Sequence, residues 1–154
     1  MLHFNILINA LDGKCKAFEF GVSKDTYNRI AMMSTVNNGA NILTSPNDGI
    51  IDKGDMIKVA TLDFESVVNI TGKKEVDLVK CDIEGAEFEV FINCKRSLLR
   101  KVKCYIMEIH VNKDDIKGMY NLRLLAETFE KGGFKIMQSG PIMLFIRDDI
   151  YGKK

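Results

Sequence analysis

The segment Val76-Asp77-Leu78-Val79-Lys80-Cys81-Asp82-Ile83-Glu84-Gly85-Ala86-Glu87 carries the strongest structural signal in the sequence. Its first six residues form a nearly continuous apolar run that only Asp77 and Lys80 interrupt. Such a run is typical of a strand that is covered on both faces, as in a parallel sheet. A turn that ends at Gly85 follows. The apolar positions beyond it are spaced as on a helix: Phe88, Phe91 and Ile92. The segment therefore predicts a buried strand, a turn and a helix.

The chain after this segment continues with alternating strand and helix signals. Residues 102–110 predict a strand, and residues 119–132 predict a helix that two glycines close. Residues 134–137 and 142–146 predict two final strands. Gly140-Pro141 is too short a connection for a parallel crossover, so we expect these two strands to be antiparallel.

The sequence before this segment predicts two helices and several short strands. The predicted elements are a helix over residues 4–11, a strand over 15–22, a hairpin formed by 28–35 and 40–44, and a strand over 56–60. Thr61 is expected to cap the helix that follows, over residues 62–69. Helix and strand alternate and then end on a hairpin, which indicates an α/β sheet that is mostly parallel with one reversed edge.

Composition and charge predict one domain and exclude several classes of partner. The chain has 154 residues, 46% of them hydrophobic, and a net charge of +1, which suits a single domain with one core. Acidic and basic residues are mixed throughout, which argues against a nucleic-acid or anionic-membrane partner. No window approaches the roughly 20 apolar residues of a membrane span, and no leader pattern begins the chain. We therefore expect a soluble, cytoplasmic protein.

The cysteines and aromatic residues have the pattern of core residues. The four cysteines include no C-x-x-C pair, so neither a zinc site nor a disulfide framework is expected: Cys15, Cys81, Cys94 and Cys104. Free thiols of this kind are usually buried and chemically quiet. The phenylalanines and methionines are likewise expected to fill the core.

Four polar side chains follow the apolar parts of two predicted strands: Asp82, Glu84, Glu108 and His110. Ligands of open α/β sheets bind at the carboxyl ends of strands. Imidazole titrates near neutral pH, so His110 is a candidate general base. Two alternatives remain open, since Asp82 and Glu84 could simply be acids at a helix N-terminus and His110 could be a surface residue. Carboxylates and imidazole also suit a divalent cation, but no metal-binding spacing such as H-E-x-x-H occurs here, and no metal is expected.

Residues 76–87 resemble the K-x-D-x-E-G-A-E signature of FkbM-type S-adenosylmethionine-dependent methyltransferases. The resemblance extends over about residues 3–147. Further similar segments are Asn5-Ile6-Leu7-Ile8-Asn9, Gly21-Val22-Ser23, Thr61-Leu62-Asp63, Met107-Glu108-Ile109-His110 and the late Gly-Gly-Phe. The resemblance implies a Rossmann-like class I methyltransferase sheet of order 3-2-1-4-5-7-6, with S-adenosylmethionine across the ends of the first four strands.

In that sheet two strands have no counterpart in the chain. By resemblance, residues 15–22 are strand 3, residues 76–82 are strand 4, residues 103–110 are strand 5, and the final hairpin is strands 6 and 7. Strands 1 and 2, with the glycine loop D-x-G-A-x-x-G and the acidic ribose ligand, would precede Met1. We therefore expect residues 1–154 to be a single, N-terminally truncated domain. Alone, it should bind S-adenosylmethionine poorly and self-associate through the exposed edge of strand 4.

The resemblance implies methyl transfer to a hydroxyl oxygen of a sugar, glycan or small metabolite. It assigns the site residues as follows: Asp82 and Glu84 near the sulfonium and the acceptor, Glu108 and His110 to orient or deprotonate the acceptor, and Val22 and Ser23 beside the adenine. The alternative function is a non-catalytic remnant or binding module of the same fold, which needs a partner or an upstream segment. The missing glycine loop favours this alternative.

Overall fold

The computed structural model describes residues 2–11, 13–25, 28–33, 41–44, 56–111 and 116–152. The helices in this part of the chain are α1 (Leu2–Ile8), α2 (Phe64–Ile70), α3 (Glu87–Phe91), α4 (Arg96–Leu99) and α5 (Ile116–Gly132). The strands are β1 (Gly21–Val22), β2 (Asn28–Met33), β3 (Asn41–Thr44), β4 (Met56–Leu62), β5 (Val76–Cys81), β6 (Val102–Glu108), β7 (Phe134–Ser139) and β8 (Ile142–Arg147). They form two sheets, in the orders β1-β4-β2-β3 and β5-β6-β8-β7. The α/β class is therefore confirmed.

The second sheet contains the strand of the opening segment. β5 and β6 are parallel, with Cys81 opposite Met107. β8 is antiparallel to both β6 and β7, so the predicted terminal hairpin is confirmed. The reversed strand lies inside the sheet rather than at its edge, because the second strand of the hairpin pairs with β6 and leaves β7 outside. The order β5-β6-β8-β7 equals the order 4-5-7-6 that the resemblance implies for its last four strands.

Aromatic side chains pack one face of this sheet against the helices. Tyr105 of β6 is fully buried, and its ring lies 5.9 Å from the ring of Phe91 and 5.0 Å from that of Phe129. Both contacts are edge-on, the geometry that aromatic quadrupoles favour. The Tyr105 hydroxyl donates a hydrogen bond to the Leu99 carbonyl oxygen (2.9 Å), which satisfies its buried polar group. Phe91 and Phe129 occupy the core as predicted, whereas Phe18 is 51% exposed.

The opposite face of the second sheet is open to solvent in several places. Leu78 of β5, Met137 of β7 and Ile142 of β8 are 51%, 47% and 36% exposed. The prediction that residues 76–81 form a strand is confirmed, but the prediction that both of its faces are covered is wrong. Among the described residues, β5 pairs with β6 alone and so lies at an edge of the sheet. An apolar run identifies a strand but does not fix its position in the sheet.

The first sheet confirms the predicted hairpin and shortens the predicted third strand. β2 and β3 pair antiparallel, while the turn at residues 37–39 and the loop at 45–55 lie outside the described residues. β1 is parallel to β4 and contains two residues, Gly21 and Val22. Residues 15–20 have no regular structure, so the strand predicted over 15–22 is wrong over most of its length. Alternation of apolar and polar residues does not by itself produce a strand where no neighbouring strand provides backbone hydrogen bonds.

The cap of α2 is Asp63 rather than Thr61. The Asp63 carboxylate accepts a hydrogen bond from the Ser66 backbone N–H (2.7 Å), whereas Thr61 is the buried sixth residue of β4. Both residue types can cap, and the strand continues past Thr61, so the next oxygen-bearing side chain takes the role. α5 runs for 17 residues and ends as predicted at the glycine pair, where Gly133 adopts a φ of 84°.

Candidate functional site

The carboxyl ends of β5 and β6 bring two predicted site residues together. The register that pairs Cys81 with Met107 places the next residues, Asp82 and Glu108, side by side at the same edge of the sheet. His110 follows two residues after Glu108. One ligand atom from each of Asp82, Glu108 and His110 lies within 4.8 Å of the other two. The strand-end rule therefore selected residues that do meet in space.

The imidazole of His110 lies between two carboxylates. Its Nε2 atom is 3.7 Å from Oε1 of Glu108, and its Nδ1 atom is 4.0 Å from Oε2 of Glu84. Both distances exceed hydrogen-bond length but fit ion pairs when the imidazole is protonated. The three side chains are about one third exposed, so a solute reaches them. The two carboxylates therefore flank the imidazole, one near each ring nitrogen.

Lys80 keeps the carboxylate of Asp82 ionised. Its Nζ atom donates to Oδ2 of Asp82 at 2.8 Å. This hydrogen bond is the main reason that the pKa of Asp82 lies below its usual range, with smaller charge effects from Lys80 and His110. The same bond raises the pKa of Lys80. At neutral pH Asp82 is therefore an anion that accepts hydrogen bonds rather than a proton donor.

The loop between β5 and α3 has an unusual backbone. Glu84 adopts a φ of 54° and Gly85 a φ of 95°, two consecutive residues in the left-handed region. The side chain of Glu87, at the start of α3, is fully buried and accepts hydrogen bonds from the backbone N–H groups of Ile83 and Gly85, each at 2.9 Å. Glu87 is not among the residues predicted to form the site. Its signal was present, because Glu87 is the last residue of the signature segment.

Val22 ends β1 of the first sheet and Ser23 follows it, whereas Asp82 and Glu108 lie at strand ends of the second sheet. Ser23 is fully buried, donates its hydroxyl to the Asp25 carbonyl oxygen (2.6 Å) and its N–H to Leu62 (3.0 Å). It lines a cavity of about 270 Å³ next to the start of α2. The walls of that cavity also include Asp63, Phe64, Val90, Asn93, Cys94 and Leu98. The four strand-end residues do not line this cavity.

The strand-end cluster also offers one ligand atom from each of three residues that a divalent cation could bind: Asp82, Glu108 and His110. Two carboxylates and one imidazole suit ions such as Mn²⁺ or Zn²⁺. Lys80 occupies one oxygen of Asp82, however, and its positive charge opposes a cation there.

Comparison with known proteins identifies the family. The chain matches the model of the methyltransferase FkbM domain over residues 4–138. This chain belongs to the FkbM methyltransferase family. The match includes the signature segment and both strand ends that carry the cluster, so the resemblance inferred from the sequence is correct.

The FkbM-family chain is also similar to a much larger curated protein. It is 26% identical over 101 residues to the AMB antimetabolite synthetase AmbE of Pseudomonas aeruginosa. The aligned region covers 64% of this chain and 5% of AmbE, so the chain corresponds to about a twentieth of that relative. No solved structure matches the chain significantly. In the described ranges, no helix has the length and apolar character needed to cross a bilayer.

Proposed function

We propose that this protein is an S-adenosylmethionine-dependent methyltransferase that methylates a hydroxyl oxygen of a sugar, a glycan or another small metabolite. The observation that carries the proposal is the position of His110 between Glu84 and Glu108 at the strand ends of a chain in the FkbM family. Hydroxyl acceptors need a base, because oxygen is a weak nucleophile until its proton is removed.

The proposed roles follow from charge and exposure. His110 takes the proton of the acceptor hydroxyl while the oxygen forms its bond to the methyl carbon and the carbon–sulfur bond breaks. Glu84 and Glu108 stabilise the imidazolium that results. Asp82, held as an anion by Lys80, accepts a hydrogen bond from a second acceptor group and so orients the substrate.

S-adenosylmethionine supplies the electrophilic methyl group in this proposal. The cavity beside Ser23 combines apolar walls from Phe64, Val90 and Leu98 with polar side chains, a mixture that suits a flat heteroaromatic ring such as adenine. Val22, which ends β1, and Ser23 are the residues that the resemblance assigns to this part of the cofactor.

We also propose the type of sheet, the cellular location and the partners of this protein. The strand order β5-β6-β8-β7 supports a Rossmann-like class I sheet. We propose a cytoplasmic protein with a small-molecule acceptor and with no nucleic-acid or membrane partner. The edge position and exposure of β5 support self-association through that edge.

A non-catalytic binding module of the same fold is the second candidate, since a cavity and a strand-end cluster can bind a ligand without transferring a group. Titration calorimetry of the natural gene product with S-adenosylmethionine separates the two candidates. Saturable binding that S-adenosylhomocysteine competes away supports the methyltransferase. A protein that is folded, judged by circular dichroism, and shows no heat of binding supports the binding module.

A further inference from the structure

Glu87 is a fully buried carboxylate whose two oxygens are both used inside one loop. Oε1 accepts a hydrogen bond from the N–H of Ile83, and Oε2 accepts one from the N–H of Gly85. Burial of an anion is costly unless hydrogen bonds replace its lost hydration, and charge-assisted bonds of this kind do so. Because both oxygens face the loop backbone, Glu87 is not placed to touch a substrate.

The loop that Glu87 holds is conformationally unfavourable by itself. Residues other than glycine rarely adopt a positive φ, yet Glu84 does so at 54°. Such a conformation persists when the surrounding contacts determine it. The two N–H groups that Glu87 binds lie on either side of Glu84 in the chain, so the carboxylate bridges across the strained residue.

The strained residue is the one that contacts the candidate base. With φ at 54°, Glu84 directs its Oε2 atom to 4.0 Å from Nδ1 of His110. A change of this φ would reorient the Cα–Cβ bond of Glu84 relative to the preceding chain and so move its carboxylate. The position of the Glu84 carboxylate therefore depends on the loop conformation.

We propose that Glu87 is a positioning residue: its buried carboxylate fixes the left-handed conformation of the 83–85 loop and thereby holds Glu84 against His110. The catalytic consequence rests on the proposed methyltransferase function, whereas the structural relationship does not. The two are tested separately.

Glu87→Gln tests the relationship directly, because glutamine keeps the shape but offers one accepting oxygen in place of two. We expect amide hydrogen exchange at Ile83 and Gly85 to become about 10- to 100-fold faster, as the loss of a hydrogen bond to a charged group predicts. The amides of β6 should keep their protection. Glu89→Gln is the matched control, since Glu89 lies in the same helical turn and is exposed.

The nuclear magnetic resonance signals of the His110 imidazole report the position of Glu84. The chain has two histidines, so these signals are easy to assign. At fixed pH, Glu84→Gln should shift the His110 imidazole signals, and Glu87→Gln should shift them in the same direction, while Glu89→Gln should leave them in place. A folded Glu87→Gln protein with unchanged His110 signals and unchanged exchange at Gly85 would overturn the proposal.

Gly85→Ala provides a second test if Glu87→Gln does not fold. A β-carbon at Gly85 meets no atom within 4 Å, so this change strains the backbone at a φ of 95° without a steric clash. We expect the same direction of shift at His110 with Glu87 intact. If Gly85→Ala leaves the His110 signals unchanged, the loop does not set the position of Glu84 and the proposal is wrong. None of these experiments measures methyl transfer, so a protein without transferase activity would still show the predicted shifts.

Discussion

The Nε2 atom of His110 lies 3.7 Å from the Oε1 atom of Glu108, two residues earlier in the chain. Glu108 is the last residue of β6, and the strand ends before His110. Side chains two residues apart in an extended segment lie on the same face, so Glu108 and His110 can approach each other. The other imidazole nitrogen, Nδ1, lies 4.0 Å from Oε2 of Glu84. The imidazole therefore has a carboxylate near each of its two nitrogens, and this arrangement is the basis of the proposed mechanism.

Removal of the candidate base should abolish most of the activity without unfolding the protein. We expect His110→Ala to lower the methyl-transfer kcat at least ~10²-fold, the usual contribution of a positioned base, and Asp82→Ala to lower turnover by a similar factor. Both side chains are partly exposed polar groups, so the melting temperature should change little. Glu130→Ala, an exposed change on α5, serves as the control. Normal turnover in both site variants would show that the strand-end site is wrong and that Asp82 only stabilises the start of the following helix.

The ion pair between Lys80 and Asp82 predicts a pH effect of defined sign. The folded-state pKa of Asp82 lies below its usual range because Lys80 hydrogen-bonds to it. A lowered folded pKa stabilises the fold above the usual aspartate range, and this contribution is lost as the pH falls through the folded value. We expect Lys80→Met to raise the Asp82 pKa toward its usual range, measured by carbon NMR titration of the carboxyl group. An unchanged midpoint would show that Lys80 does not hold Asp82 in solution.

Local periodicity predicted most elements of the fold. The helix over residues 4–11, the hairpin strands, and the strands near 56–60, 76–81 and 102–110 all correspond to observed elements. These elements could be predicted because apolar residues recur with the period of each structure. The proximity of Asp82 to Glu108 could be predicted for a related reason, since the ends of adjacent parallel strands meet at one edge.

Features that depend on tertiary neighbours could not be predicted in this way. The edge position of β5 depends on which strands are available to pair with it, and its own residues carry no such information. The choice of Asp63 over Thr61 as the cap of α2 depends on where β4 ends. The role of Glu87 depends on burial and on the backbone of Ile83 and Gly85, which a pattern of residue types does not contain.

The cysteines should differ strongly in reactivity. Burial raises the pKa of Cys81 to about 12 and that of Cys94 to about 11, whereas Cys15 is exposed. Because the thiolate is the reactive form, a disulfide reagent at pH 8 should label Cys81 more than about 100-fold more slowly than Cys15. Mass spectrometry of the labelled peptides measures this ratio, and labelling in denaturant provides the control. Equal native-state rates would mean that Cys81 is accessible and that β5 opens readily.

The exposed edge strand should make the chain associate. Leu78 of β5 is 51% exposed on a strand that can accept another strand. We expect light scattering to detect concentration-dependent association, and Leu78→Lys to reduce it because a charged edge opposes strand pairing. Ile70→Lys is the matched control, since Ile70 is similarly exposed, at 46%, but lies on α2. A monomer at all concentrations, or equal effects of both variants, would argue against association through β5.

Tracing the methyl group of S-adenosylmethionine tests the central claim most directly. The natural gene product is incubated with cofactor that carries ¹³C in its methyl group and with a set of sugars and hydroxylated metabolites, and the products are analysed by carbon NMR and mass spectrometry. The account predicts a labelled O-methyl product whose formation falls at least ~10²-fold in His110→Ala. Label bound to nitrogen or carbon, or an O-methyl product formed equally well without His110, would contradict it.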